Sequence, residues 1–157
     1  MKDQSRIREL LLEQLTGRNA HVNFETAVDN LTVEEAGAKP ENFPYTIWEL
    51  VEHIRISQHD IVAFSQDPDY SSPSWPDEYW PESHKPEDKE EWEETLGAIK
   101  RDRQKMITII KNDENDLLAP IPHGDGQTLF REAMLVVDHN AYHIGQIVLA
   151  RRAMDIW

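Results

Sequence analysis

The chain has 157 residues, 39% of them hydrophobic, which fits one globular domain over residues 1–157 that buries a sizeable core. Its 30 acidic side chains outnumber the 16 basic ones, and the net charge of -14 argues against nucleic-acid and membrane partners, because phosphate backbones and anionic lipids are repelled. Since the chain contains no cysteine, disulfides and thiolate ligands are excluded, and any metal ion must be bound by nitrogen and oxygen donors.

The N-terminal residues predict a helix rather than a targeting segment. MKDQSRIREL lacks the apolar core of a secretory signal, and no window approaches the ~18 apolar residues of a membrane span, so we expect a cytoplasmic protein. Apolar residues at helical spacing predict a helix in DQSRIRELLLEQL (3–15), followed by a break or kink near Thr16 to Asn19. The helix is expected to resume in NAHVNFETAVDNL (19–31), with Asn19 as its N-cap.

Two central segments predict further helices of the same all-α fold. The second predicted helix covers residues 45–65 and opens with a capping box formed by Thr46 and Glu49. The third covers residues 87–112, where only Arg103 interrupts an apolar seam typical of a helix bundle. With a fourth helix at the C-terminal end and no convincing strand, the sequence predicts a four-helix bundle.

The fourth predicted helix runs from about Thr128 to about Met154 and is apolar nearly all round. Two sets of apolar residues lie on its opposite sides: Leu135, Val136 and Ile147 on one, and Phe130, Val137, Ile144 and Val148 on the other. Such a helix is buried on more than one face, either at the centre of a monomer or between a monomer core and a partner subunit. In a bundle this small we favour the second arrangement and expect a homodimer.

Residues 66–85 form an unusually long connection, with four of the nine prolines and with Trp75, Tyr79 and Trp80. An extended chain of 20 residues reaches about 65 Å, whereas the second helix is roughly 30 Å long. The connection can therefore cross over along the bundle and leave the second and third helices parallel. Packing against the bundle is the simpler explanation of its aromatic residues, and an exposed ligand-binding patch or a cover over a pocket is the alternative.

His139 and His143 lie four residues apart in the fourth helix, so their imidazoles share one face and can point at one site. Taken alone, such a pair is more readily explained by polar packing. Because unsatisfied imidazoles on so apolar a helix cost free energy, the context favours a shared metal ion or a hydrogen-bond network. A third ligand could come from His53 or His59 in the second helix, and periodicity does not choose between them.

Two motifs, WELVEHI (48–54) and HNAYHIGQI (139–147), resemble the DinB-like superfamily of helical bundle proteins, and the resemblance covers essentially the whole chain. The resemblance implies a four-helix bundle, often a homodimer, in which His53, His139 and His143 bind a divalent metal ion. It also implies hydrolase or thiol transferase activity, because the members that the chain resembles are assigned to both classes.

Three neutral imidazoles leave coordination positions open for water or substrate, as catalytic metal sites do. The ion can lower the pKa of bound water or bind and deprotonate a thiol, so we predict a hydrolase or S-transferase that acts on a small molecule. Zn, Ni and Fe(II) all accept imidazole, so the ligands do not identify the metal. A non-catalytic, dimeric metal-binding or stress-related binding protein is the alternative.

Two other polar residues share the helical stripe of the histidine pair. Glu132, seven residues before His139, is our candidate catalytic residue, because it could orient an imidazole, act as a general base or add a ligand. The alternative is an acid that the helix dipole favours near the helix N-terminus and that points to solvent. Gln146, three residues after His143, is expected to serve packing or hydrogen bonding.

Overall fold

The computed structural model describes residues 4–17 and 20–157, and within these ranges the chain forms helices and connections without a strand. The helices are α1 Ser5–Leu15, α2 Phe24–Val28, α3 Val33–Ala36, α4 Ile47–Gln66, α5 Lys89–Lys111 and α6 Leu129–Ala153. The all-α prediction is confirmed, and the four long helices α1, α4, α5 and α6 form the bundle. No helix in this part of the chain combines the length and the apolar character needed to cross a membrane.

The chain turns sharply after α1. The helix ends at Leu15, and Gly17 has a φ of +82°, a left-handed conformation that glycine adopts without the steric cost of a Cβ. The predicted break near Thr16 is therefore confirmed.

The segment after this turn is less helical than its apolar spacing predicts. The predicted helix over 19–31 is wrong in its extent, because among the described residues of this range the helical ones are Phe24–Val28. The side chain of Asn23 accepts a hydrogen bond from the Thr26 backbone N–H and so begins the helix later than expected. The predicted N-cap, Asn19, lies outside the described residues.

The other long helices begin at side-chain caps that can be read from the sequence. Thr46 and Glu49 form the predicted capping box of α4, each side chain bonding the backbone N–H of the other residue. Asp88 caps α5 and Thr128 caps α6. Both ends of all three helices agree with the predicted bounds to within two residues.

Helices α4 and α5 run parallel, as a long connection between them allows. Three side-chain hydrogen bonds advance along both helices together, in the pairs Glu52–Thr95, Gln58–Ile99 and His59–Asp102. The connection, residues 67–88, contains one short 3-10 turn at Asp77–Tyr79, and we call it the crossover. The predicted crossover between the second and third long helices is therefore confirmed.

The core consists of two packed clusters that hold the helices of the bundle in place. Trp48, Ile54 and Ile147 belong to one cluster, and Met106 and Val136 to the other. Each large apolar side chain buried in this way contributes about 1.5–3 kcal/mol. The first cluster contains Ile54 and Ile144, which directly follow His53 and His143 in the chain. Packing of these isoleucines therefore fixes the backbone at both histidines.

Candidate metal centre

Three histidines from two helices converge at one point of the bundle. His53 of α4 lies beside His139 and His143 of α6, and one ring nitrogen of each lies within 4.8 Å of the others. Nε2 of His53 and Nε2 of His139 are 3.0 Å apart. The choice that periodicity left open is thus decided by geometry, because His59 does not belong to this group.

The remote nitrogen of His53 is held by the crossover. Its Nδ1 lies 2.7 Å from the carbonyl oxygen of Tyr79. Because a carbonyl oxygen can only accept, Nδ1 carries the proton and donates it to this bond. The lone pair of Nε2 therefore faces the other histidines, with Nε2 of His139 within hydrogen-bonding distance, and this is the orientation that second-shell partners impose on metal-binding imidazoles.

The two histidines of α6 differ in their remote contacts. Nδ1 of His143 lies 2.7 Å from Oε1 of Gln146, one turn along the same helix, so the expected hydrogen-bonding role of Gln146 is confirmed. Nδ1 of His139 is buried and has no hydrogen-bond partner among the described residues. Only His53 and His143 therefore have an acceptor that fixes which nitrogen faces the centre.

All three imidazoles are neutral near pH 7. Burial lowers the pKa of His53 and the pKa of His143 below the usual value for histidine. The pKa of His139 falls to about 4, chiefly through burial and further through repulsion by His143 and His53. Since metals bind the neutral imidazole, no proton has to be displaced from these rings at neutral pH.

The spacing and the donor set of the group fit a divalent ion. Two nitrogens that are each about 2.1 Å from one ion, at angles between about 90° and 109°, lie roughly 3.0–3.4 Å apart. The separation of 3.0 Å between Nε2 of His53 and Nε2 of His139 falls in this range. With three imidazole donors, coordination positions remain for a further ligand, as in catalytic rather than closed structural sites.

Comparison with models of known protein families identifies the superfamily of this chain. The model of the DinB superfamily matches residues 18–147, a range that contains all three histidines. The chain belongs to the DinB superfamily. Searches of curated proteins and of solved structures find no significant match. Membership of the DinB superfamily and the three-histidine group together fit a metal-binding protein.

Aromatic residues cover the α4 side of the centre in this DinB superfamily chain. The Trp80 ring of the crossover stacks on His53, with ring centroids 4.0 Å apart and planes 2° apart. Tyr45 stacks in turn on Trp80 at 4.2 Å, whereas Trp75 is 73% exposed. In the crossover, Trp80 therefore packs against the centre, whereas Trp75 is exposed. In the sequence, the signal for this packing was the clustering of aromatic residues between positions 75 and 80.

The remaining histidines make contacts elsewhere. Each bonds an oxygen outside the centre, in the pairs His21–Val22, His59–Asp102, His84–Glu49 and His123–Phe64. The partner of His59 is the buried carboxylate of Asp102, which also accepts a hydrogen bond from Lys105. None of these four histidines joins the group of three.

Glu132 is buried in α6, with 2% of its surface exposed, and its carboxylate accepts a hydrogen bond from Arg131. The alternative in which this acid points to solvent is therefore wrong. The group of potential ligands in the described part of the chain does not include Glu132. A catalytic role of Glu132 stays a prediction.

Proposed function

We propose that this DinB superfamily protein is a metal-dependent enzyme in which His53, His139 and His143 hold a divalent ion. The ion, when bound, supplies Lewis acidity that lowers the pKa of a water or a thiol and readies it to attack a small-molecule substrate. The corresponding activities are hydrolysis and S-transfer. The observation that carries the proposal is the convergence of three neutral imidazoles, two of which have their remote nitrogens bonded to acceptors.

The chain itself contributes orientation and protonation state to the reaction. Burial keeps the pKa of each imidazole low, so the rings remain available as ligands at neutral pH. The bonds from His53 to Tyr79 and from His143 to Gln146 aim Nε2 of each ring at the centre. Ligands fixed in advance in this way lower the cost of ordering the site when an ion binds.

Metal analysis tests the first half of the proposal. Protein purified without a His tag and without chelator is expected to contain one divalent ion per chain. His143→Ala should lose that ion, whereas His59→Ala, which alters a histidine outside the centre, should retain it. The absence of a stoichiometric ion, together with unchanged stability of His143→Ala, would contradict the proposal.

A substrate panel tests the second half. Low-molecular-weight thiols paired with electrophiles should be assayed beside esters and amides, with metal-loaded and metal-free protein. Metal-dependent turnover of the first set indicates S-transfer, and turnover of the second set indicates hydrolysis. If a metal-loaded protein turns over none of them, the alternative of a non-catalytic, metal-binding or stress-related protein is favoured.

We also propose that two copies of the chain associate through α6. Three apolar side chains on one stripe of this helix are exposed, Met134 by 41%, Tyr142 by 66% and Leu149 by 58%. Gly145 lies on the same stripe, and a Cβ added there would meet no atom within 4 Å, so packing inside one copy does not explain this glycine. A second copy that covers the stripe would account for both observations.

A further inference from the structure

Tyr79 of the crossover contacts α4 at two separate points. Its carbonyl oxygen accepts from Nδ1 of His53 at 2.7 Å, and its hydroxyl donates to Oδ2 of Asp60, also at 2.7 Å. His53 and Asp60 are seven residues apart, so they lie on the same face of α4 at a distance of about 10.5 Å along the axis. Tyr79 therefore lies along the helix, with its backbone at the histidine and the end of its side chain at the acid.

We propose that Asp60 is a positioning residue of the metal centre. By holding the hydroxyl of Tyr79, Asp60 fixes the Tyr79 carbonyl at Nδ1 of His53 and thereby sets the direction of Nε2. The inference rests on the proposed function, because it assigns Asp60 to the same metal centre. It adds a residue that does not belong to the three-histidine group and that is linked to His53 through Tyr79 of the crossover.

Tyr70, the other tyrosine of the crossover, also lies near the Asp60 carboxylate. Burial and the adjacent Asp60 carboxylate raise the pKa of Tyr70 and the pKa of Tyr79. Both phenols are therefore protonated at neutral pH, and the Tyr79 hydroxyl is a donor under all physiological conditions. Asp60 thus holds the crossover on α4 at a point two helical turns from His53.

The contact between Tyr79 and His53 is reinforced by the next residue. Trp80 stacks on the His53 ring, so adjacent residues of the crossover contact both the edge and the face of that imidazole. A shift of Tyr79 along α4 would displace both contacts at once. The remote nitrogen of His143 does not depend on the crossover in this way, because Nδ1 of His143 bonds Gln146 of its own helix.

Ring NMR of the full-length, metal-free protein tests this role directly. Long-range ¹H–¹⁵N spectra of wild type are expected to show His53 as one tautomer, with the proton on Nδ1. Tyr79→Phe and Asp60→Ala should each give a mixture of tautomers at His53 and leave His143 as a single tautomer, because its Nδ1 still bonds Gln146. Asp60→Asn retains an acceptor oxygen and should restore the single tautomer, and Tyr70→Phe is the matched control on the same carboxylate.

Metal affinity provides a second readout. Competition titrations with Co²⁺ should show about 10-fold weaker binding for Tyr79→Phe and for Asp60→Ala, the lower end of the range for outer-shell partners. The double variant should be no weaker than either single variant, because both changes break the same bond. The visible absorption bands of bound Co²⁺ should shift in the same variants and stay unchanged in Tyr70→Phe.

The positioning role and the proposed function fail in different ways. If wild type binds metal but Tyr79→Phe leaves both the His53 tautomer and the Co²⁺ affinity unchanged, the role of Asp60 is overturned and the proposed function stands. If wild type binds no metal, the proposed function fails, and the ring spectra still decide whether Asp60 orients His53. Tyr79→Phe removes a single oxygen atom, so it decides the question even if Asp60→Ala does not fold.

Discussion

The two halves of the candidate metal centre are built by different means. On α6, His139 and His143 share a face through their spacing, and Gln146 of the same helix bonds His143. On α4, the one histidine of the group, His53, contacts the crossover, which supplies both a backbone acceptor and the Trp80 ring. The α6 half is therefore specified locally within eight residues, whereas the α4 half requires α4 and the long crossover to pack together correctly.

The largest expected effect comes from removing the single ligand of the α4 half. His53→Ala should weaken metal binding by more than about 100-fold, because loss of an outer-shell partner alone costs 10- to 100-fold. A chelator competition titration measures this, with His59→Ala on the same helix as the control. Wild-type affinity in His53→Ala would mean that the α6 pair binds the ion without α4, which would contradict the assignment of His53 to the centre.

Gln146→Leu tests whether the α6 half is held locally. The substitution removes the acceptor at Nδ1 of His143 and should weaken metal binding about 10- to 100-fold while leaving the His53 tautomer unchanged. Gln146→Glu supplies a carboxylate acceptor at the same place and should recover most of the affinity. Equal affinities for Gln146→Leu and wild type would show that the hydrogen bond does not support the site.

The pH dependence of stability distinguishes His139, which has no partner at Nδ1, from the two anchored rings. Its folded-state pKa of about 4 lies below the ordinary 6.5, so the unfolded chain binds the proton first as the pH falls. The stabilising contribution is complete above pH 6.5 and is lost as the pH falls towards 4.

The metal-free protein should therefore lose about 1 kcal/mol of unfolding free energy per pH unit through His139 between pH 6 and 5. Urea unfolding in the presence of chelator measures this loss, and His139→Gln should reduce it. The same slope in His139→Gln and wild type would contradict the assignment of the low pKa to this ring.

The smallest effect on the centre is expected from the exposed stripe of α6. Leu149→Glu should shift the proposed dimer towards monomer, measured by light scattering at micromolar concentration, because it places a charge on an apolar contact. Leu118→Glu, at a leucine outside α6 that is 49% exposed, is the matched control and should not change the oligomeric state. A wild-type protein that is already monomeric would remove this explanation of the stripe.

The features that could be predicted from the sequence are those set by residues close together in the chain. The capping box at Thr46 and the spacing of His139 and His143 are local patterns, and each was read correctly from the sequence. The helix expected over residues 19–31 was overextended, because apolar spacing does not reveal that the Asn23 side chain begins a new helix.

The parts of the centre that could not be predicted depend on tertiary packing. His53 and His59 occupy opposite flanks of one apolar stripe, so helical periodicity could not choose between them; the family resemblance implied His53, and the packing of α6 against α4 brings that residue into the group. The Tyr79 contact is made by a backbone carbonyl, which every residue possesses and no sequence motif marks. Burial of Glu132 likewise depends on how α6 packs, because the helix dipole favours an acid there whether buried or exposed.

The stacking of Trp80 on His53 should make metal binding at the centre detectable by tryptophan fluorescence. An indole whose centroid lies 4.0 Å from a ligand ring places a natural fluorophore directly against the site. Arrival of a divalent ion changes the charge beside that indole, so the emission of the protein should change as the site fills. Among the five tryptophans of the chain, Trp80→Phe should remove this response, which gives a label-free titration of the centre.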